Sequence, residues 1–223
     1  MCGRFTLRSV DRIRIALENR VQLDQVVPRY NIAPTQPVIT IVANDQVERL
    51  VWGLIPSWSK EPAPIINARS ETLNEKASFK ESFERRRCLI LADGFYEWRR
   101  TGKAKQAFFF QLKDGRAFAF AGLWDRWRKN DTTIKSCAII TTDANELLLP
   151  IHDRMPVILS EESYEVWLDS KVSPAELKKL LEPFPGDEMR SWPVSSRVNS
   201  ADNEGPDLIE RVDVEVGTTP SLF

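Results

Sequence analysis

The feature that most constrains the fold is a series of seven short segments with strand character between residues 38 and 159. Each is rich in β-branched or aromatic residues and is bounded by turn formers, which is typical of β-strands. The links 99–105 and 113–116 have the length of hairpin connections and predict a largely antiparallel sheet. The predicted strands are Val38–Val42, Arg49–Leu54, Cys88–Ala92, Ala107–Leu112, Ala117–Leu123, Ile134–Thr141 and Pro156–Leu159.

Helices are fewer than strands. Apolar residues at helical spacing predict a helix over residues 9–19. Further helices are predicted to begin at Asn74 and Ser160, which are both suitable N-cap residues. Ser173-Pro174-Ala175-Glu176 combines an N-cap, a proline in the first turn and a capping-box glutamate, which predicts a fourth helix. Helices and strands do not alternate, so the sequence favours an α+β fold over a doubly wound parallel sheet.

Length and composition indicate one soluble globular domain. The chain has 223 residues, of which 42% are hydrophobic and 28% charged. We predict a single domain over residues 1–210, followed by an acidic, flexible tail over residues 211–223. No apolar run approaches the roughly 18 residues that a membrane span needs, and no secretion signal is apparent. We therefore expect a cytoplasmic protein without a membrane partner.

The cysteines and the histidine are too few and too scattered for a metal site or a disulfide framework. Cys2, Cys88 and Cys137 are odd in number and far apart, and His152 is the single histidine. A structural zinc site needs four such ligands. We expect reduced thiols, no metal and no cofactor.

The net charge of -1 conceals a strong asymmetry along the chain. Residues 1–130 contain 23 Lys/Arg and 14 Asp/Glu, whereas residues 131–223 contain 8 and 18. A basic surface on the first part would attract a polyanion. Alternatively, these charges form a solvated face that the acidic part neutralises. Charge alone does not decide between the two.

Cys2 follows the initiator methionine directly. Loss of Met1 would turn it into an N-terminal 1,2-aminothiol, with an amine of pKa about 8 and a thiol of pKa about 8.5 in model compounds. Such a pair captures an aldehyde, because the amine forms an imine that the thiol closes to a thiazolidine. The alternative is an incidental residue on a frayed terminus.

Two residues have the chemistry of proton transfer. His152 lies beside Asp153 and Arg154 in a predicted loop stiffened by prolines, and only histidine has an ordinary pKa suited to moving protons both ways near pH 7. Glu97 lies among aromatic residues, which would raise its pKa as a general acid requires. A structural histidine and an exposed strand glutamate are the competing interpretations.

Three further residues are candidates for nucleic-acid contact. Asn67 and Arg69 would share one face of an extended segment, where an amide and a guanidinium suit an anion or a sugar-phosphate. Trp58 lies in a polar, proline-containing loop and could stack on an unpaired base, whereas Trp52 alternates within a predicted strand and is assigned to the core. A surface turn for Asn67 and Arg69, and loop packing for Trp58, are the alternatives.

Seven blocks, taken together and in order, resemble the SRAP (SOS response-associated peptidase) family, whose members covalently capture abasic sites in single-stranded DNA. The blocks extend over nearly the whole chain. They are Met1-Cys2-Gly3-Arg4-Phe5, Arg29-Tyr30-Asn31-Ile32-Ala33-Pro34-Thr35, Trp52-Gly53-Leu54-Ile55-Pro56, Ile66-Asn67-Ala68-Arg69-Ser70-Glu71-Thr72, Ala92-Asp93-Gly94-Phe95-Tyr96-Glu97-Trp98, Ile151-His152-Asp153-Arg154-Met155-Pro156 and Pro193-Val194-Ser195.

The resemblance implies a mainly antiparallel, barrel-like β core with peripheral helices. It implies that Cys2 is the nucleophile, that Asn67 holds the opened sugar or the Cys2 backbone, and that Glu97 and His152 handle protons. It further implies a monomer without an obligate protein partner that binds single-stranded DNA containing abasic sites and is nucleoid-associated when bound. The DNA contacts implied or suggested are Arg4, Arg69, Arg154, Thr141 and Trp58.

Two rival functions remain open from the sequence. Cys2 and His152 could form the nucleophile and base of a cysteine peptidase that removes its own Met1. The chain could also be a non-covalent module for single-stranded DNA.

Overall fold

The polypeptide forms two antiparallel-rich sheets that meet at strand β1. The structure, a computed structural model, describes residues 2–11, 13, 17, 26–102 and 104–213. In those residues the strands are β1 (Arg4–Leu7), β2 (Arg29–Ile32), β3 (Pro37–Val42), β4 (Gln46–Trp52), β5 (Asn67–Arg69), β6 (Arg87–Ala92), β7 (Gly94–Thr101), β8 (Ala104–Leu112), β9 (Phe118–Lys129), β10 (Thr132–Asp143), β11 (Arg154–Pro156), β12 (Ile158–Leu159) and β13 (Met189–Pro193). The α-helices are α1 (Lys80–Arg85), α2 (Tyr164–Leu168) and α3 (Pro174–Lys178).

The larger sheet closes on itself into a barrel. Strands β3, β4, β10, β9 and β6 pair in that order, and β6 pairs again with β3. All these pairs are antiparallel except β4 with β10. Strand β10 extends beyond the five-stranded barrel. In this extension β5 pairs with one edge of β10, and β11 pairs with the other edge. The mixed α+β fold with a mainly antiparallel, barrel-like core is confirmed.

The smaller sheet is antiparallel in the order β13-β8-β7-β1-β2. Phe5 of β1 attaches it to the barrel, since its ring lies 5.1 Å from that of Trp52 and 5.7 Å from that of Phe120. All three rings are fully buried, and such aromatic contacts add to the stabilisation from burial itself. The residues just before Phe5 are thereby held at the junction of the two sheets.

The predicted strands correspond to observed strands, but the link 113–116 is not a hairpin. Strand β8 belongs to the smaller sheet and β9 to the barrel, so this link crosses between sheets. Gly115 still forms a tight turn there, with φ of 72° and its N–H bonded to the Leu112 oxygen. The link 99–105 does join a paired hairpin, β7 with β8. Strands β1, β2, β5, β7 and β13 were not in the predicted set.

The helical predictions have mixed outcomes. Ser173 caps α3 through the complete capping box with Glu176. Asn74 does not cap α1, because the chain turns at residues 73–75 and the helix begins only at Lys80. Most of residues 9–19 lies outside the described residues, although the Leu17 N–H bonds the Ile13 oxygen as in a helix. The acidic tail from residue 214 onward also lies outside them. In the described part of the chain, every helix is too short or too polar to cross a bilayer.

Buried Arg87 ties α1 and α2 to the barrel wall. Its guanidinium donates hydrogen bonds of 2.7–2.8 Å to the backbone oxygens of Phe83, Glu84, Trp167 and Asp169. We expect Arg87→Met to lower the free energy of unfolding by about 2–4 kcal/mol, because these buried carbonyls lose their donors. Urea unfolding of this variant and of Arg85→Ala, an exposed control, measures the difference. Equal stabilities would contradict the assignment.

Candidate active site

Cys2 lies in the interior at the junction of the two sheets. It is fully buried, directly before β1, and its thiol donates to the Arg4 backbone oxygen at 3.8 Å. Asn67 reaches it from β5 of the larger sheet, with Nδ2 donating to the Cys2 backbone oxygen at 2.9 Å. Burial, and secondarily the charge of Glu97, raise the pKa of the Cys2 thiol. The thiol therefore stays protonated until a base removes its proton.

Glu97 comes to the same place from β7. Strands β1 and β7 are antiparallel, and Arg4 pairs with Tyr96. Continuing this register by one residue places Glu97 beside Gly3. The carboxyl is almost completely buried, and burial raises its pKa, while the charge of His152 opposes this effect. A carboxyl with a raised pKa holds its proton to higher pH than an ordinary glutamate does, which favours a role as general acid.

His152 lies between β10 and β11, in the bend that leads into Arg154. Its Nδ1 lies 3.0 Å from the Arg154 backbone nitrogen, which donates to it, and 3.0 Å from Asp153 Oδ1. Both His152 and Glu97 line one surface groove, and the charge of His152 opposes the rise in the pKa of Glu97. The site thus combines Asn67 and Glu97 from two strands with Cys2 from the residues directly before β1 and His152 from a loop.

Two surface grooves meet at His152. The hairpin groove, of about 620 Å³, is lined by Gly3, Glu97, Trp98, Arg99, Arg100, Lys105 and residues 150–153. The Arg69 groove, of about 650 Å³, is lined by Arg69, Glu71, Thr72, Asp143 and residues 152–154. His152 and Asp153 line both, so an extended ligand could run from one groove into the other past the histidine.

Arg154 and Thr141 have internal roles in this structure. The Arg154 guanidinium binds both oxygens of Glu71, Asp143 at 2.6 Å and the Thr141 backbone oxygen at 2.7 Å. This arginine is buried, and it holds the pKa of the Glu71 carboxyl below its usual value. Thr141 is fully buried, with its hydroxyl donating to the Ala68 oxygen at 3.5 Å. Direct DNA contacts by these two residues stay predictions.

Arg4 is also engaged within the protein. Its guanidinium donates to Asn31 Oδ1 at 3.0 Å and to the backbone oxygens of Val198 and Asn199 at 2.6 and 3.2 Å. These bonds fasten residues 198–199 against the start of β1. A phosphate contact by Arg4 stays a prediction that would have to use its remaining donors.

Arg69 and Trp58 are exposed, as DNA contacts require. Arg69 lies on the edge strand β5 and lines the groove next to His152. Trp58 is 61% exposed, and its indole N–H lies 3.4 Å from the Ala77 oxygen. Trp52 is fully buried, as predicted for a core residue.

The sequence did not identify several residues that shape this site. Glu71 and Asp143 bind Arg154, and Trp98 lines the hairpin groove with the nearby cations. Glu71 had a weak signal, since a carboxylate stands two residues from Arg69 within one of the seven blocks. No sequence pattern pointed to Asp143, because only the pairing of β10 with β11 brings it opposite Arg154.

Glu97 should lower the stability of the folded protein at neutral pH. Because burial raises its pKa, the folded protein holds this proton more tightly than the unfolded chain does. At low pH Glu97 is protonated in both the folded and the unfolded protein, so it does not lower the free energy of unfolding there. The loss of stability grows as pH rises above the ordinary glutamate pKa. We expect Glu97→Gln to melt at a higher temperature than wild type by a margin that is larger at pH 8 than at pH 4. A margin that grows toward acid pH would contradict this.

Comparison with known proteins identifies the family. The family model for SOS response associated peptidase (SRAP) matches residues 1–201. The chain is 44% identical to the abasic site processing protein YoqW of Bacillus subtilis, over 94% of this chain and 99% of the relative. It is 31% identical to the abasic site processing protein YedK of Escherichia coli, over 95% of this chain and 100% of that relative.

A solved structure agrees with these relatives. The crystal structure of a protein from Bacteroides thetaiotaomicron matches with a TM-score of 0.85 and 29% identity, covering 95% of this chain and 100% of that one. The shared architecture therefore covers nearly the whole chain. By the family model and by its relatives, this chain belongs to the SRAP family.

Proposed function

We propose that this protein captures abasic sites in single-stranded DNA as a covalent thiazolidine, formed by the amine and thiol of Cys2 after Met1 has been removed. The observation that carries the proposal is the hydrogen bond from Asn67 to the Cys2 backbone oxygen, in an interior site that Glu97 also reaches. The relatives named abasic site processing proteins support the choice of substrate.

The acid and base of the site suit the first step, which opens the closed sugar. His152 takes the proton of the C1′ hydroxyl as the C1′–O4′ bond breaks. The electron pair of that bond goes to O4′, which takes the proton of Glu97. The raised pKa of Glu97 favours this donation, because the carboxyl holds its proton to higher pH than an ordinary glutamate does. The product is the open aldehyde, with a protonated histidine beside a carboxylate.

The next steps join Cys2 to the aldehyde carbon. The amine adds to C1′ and passes one proton to the aldehyde oxygen, which becomes a hydroxyl, and water then leaves with a proton from His152. The Glu97 carboxylate takes the remaining proton from the nitrogen, which gives a neutral imine. The thiol then adds to the same carbon, and its proton passes to the nitrogen, so only one water is lost overall. The raised pKa of the buried thiol favours this order, because the amine can attack while the thiol still holds its proton.

Asn67 has two functions in this proposal. Its Nδ2 fixes the Cys2 backbone, which limits the positions of the amine and the thiol. Its Oδ1 is buried and has no hydrogen-bond partner among the described residues. A buried acceptor without a donor is costly, and a hydroxyl of the opened sugar could supply one.

The two grooves suit the strand on either side of the lesion. Arg69 lines one groove, and Arg99, Arg100 and Lys105 line the other. Phosphate contacts of this kind give affinity without sequence preference, so specificity comes from the aldehyde. Affinity for intact single-stranded DNA should therefore fall with added salt.

A denaturing gel tests the proposal. Wild type mixed with a single-stranded oligonucleotide containing one abasic site should give a shifted band that survives denaturation. The same oligonucleotide with a tetrahydrofuran analogue, which has no aldehyde, should give none. Cys88→Ala is a matched control, because Cys88 is buried in the barrel wall and should leave the band unchanged. Absence of the band in wild type would refute covalent capture.

The removal of Met1 requires a separate test. If the chain processes itself, purified Cys2→Ala should retain Met1 while wild type loses it in a cell-free reaction without an aminopeptidase. If an aminopeptidase removes it, both forms should keep Met1 in that reaction. Intact mass distinguishes the two results.

A further inference from the structure

Two groups compete for one nitrogen of His152. The Arg154 backbone N–H donates to Nδ1 at 3.0 Å, and Asp153 Oδ1 lies at the same distance from that nitrogen. Nδ1 has a single position for a proton or an accepted hydrogen bond. It can therefore accept from Arg154 when it carries no proton, or donate to Asp153 when it carries one, but not both.

The two arrangements have different consequences for Nε2. A neutral ring that accepts the Arg154 N–H carries its proton on Nε2, which leaves Nε2 unable to act as a base. A neutral ring that donates from Nδ1 to Asp153 carries no proton on Nε2, which is then the basic nitrogen. Only this second form can take a proton from a substrate at Nε2.

The Arg154 donor is held in place by its own side chain. The guanidinium is fixed by Glu71, Asp143 and the Thr141 backbone oxygen, so the adjacent N–H has a fixed direction. The Asp153 carboxylate is 83% exposed and lines both grooves. Of the two groups beside Nδ1, the Asp153 carboxylate is therefore the one that can change its position.

We propose that Asp153 is a positioning residue that selects the Nδ1–H form of His152 and so makes Nε2 the base for opening the abasic sugar. This rests on the proposed function for its catalytic part, whereas the state of the ring can be measured without DNA. When Nε2 takes the C1′ proton, the resulting imidazolium keeps its Nδ1–H bond to the Asp153 carboxylate. An anion there also stabilises the positive charge that the ring acquires.

The single histidine makes the test direct. In ¹⁵N-labelled protein without DNA, long-range ¹H–¹⁵N spectra at pH 8 report the ratio of Nδ1–H to Nε2–H rings. We expect Asp153→Asn to lower this ratio about 3- to 10-fold, as loss of an exposed charge-assisted hydrogen bond does. The single-turnover crosslinking rate at saturating abasic single-stranded DNA should fall by a similar factor. Asp153→Glu should restore part of both.

Asp143→Asn is the matched control, because it removes a neighbouring carboxylate whose ion pair is with the Arg154 guanidinium. It should change the ring ratio and the rate less than Asp153→Asn does. An unchanged ratio in Asp153→Asn would overturn the proposal, and so would a lowered ratio with a wild-type rate. A wild type that forms no crosslink would refute the proposed function instead, and the ring ratio would still decide whether Asp153 selects the Nδ1–H form.

Discussion

Replacing Cys2 with alanine is expected to abolish the denaturation-stable crosslink and to turn the protein into one that cleaves abasic DNA. With Met1 removed by an added aminopeptidase, the variant has an N-terminal amine at position 2 and still forms an imine at C1′. Without a thiol the imine cannot close to a ring, and it acidifies the neighbouring C2′ proton. Loss of that proton breaks the C3′–O bond by β-elimination and cuts the strand.

A gel that resolves both products measures this change of outcome. Cys2→Ala should give a shortened oligonucleotide, and borohydride should trap its imine as a stable band. Wild type should give the stable band without borohydride. Cys137→Ala, which alters another fully buried cysteine, should behave as wild type. A stable band from Cys2→Ala without borohydride would show that another residue is the nucleophile.

Replacing Glu97 with glutamine is expected to slow crosslinking by about 10²- to 10⁴-fold, the usual contribution of a general acid. Glutamine keeps the size and burial of the side chain but cannot deliver a proton to O4′. Affinity for the DNA should change little, because Glu97 is buried and does not face the phosphates in this proposal.

Single-turnover rates and fluorescence anisotropy separate the two effects of Glu97→Gln. A slow rate with unchanged affinity supports the assignment, whereas a wild-type rate would remove Glu97 from the mechanism. The same variant is expected to be more stable than wild type at pH 8. Loss of activity with a gain in stability is the expected result for a buried ionisable group that is present for catalysis.

The sequence predicted most of the barrel, because its strands carry a strong β-branched and aromatic pattern. It did not predict β1, β5 or β7 as strands, and these three position Cys2, Asn67 and Glu97. Strands β1 and β5 are only three or four residues long, too short for a period to stand out. The first residues of β7 are buried on both faces, so alternation could not tell an inward Glu97 from an outward one.

The chemical identities at the site were predictable, but their partners were not. The sequence indicated His152 and Arg154 as a group with Asp153, which the structure brings to one groove edge. It predicted a DNA contact for Arg154, which stays a prediction, but it did not predict the ion pairs of that guanidinium with Glu71 and Asp143. Glu71 is 83 residues away in the chain, and only the pairing of β5 and β11 with the same strand brings the two together.

The most direct measurement of the central claim is mass spectrometry of the crosslinked protein after nuclease digestion and alkylation in denaturant. The account predicts that the N-terminal peptide begins with Cys2 and carries the sugar remnant with loss of one water. It also predicts that iodoacetamide modifies Cys88 and Cys137 but not Cys2, because the Cys2 sulfur is bonded to C1′. A sugar remnant on another residue, an alkylated Cys2 in the adduct, or Met1 still attached would contradict capture by the amine and thiol of Cys2 together.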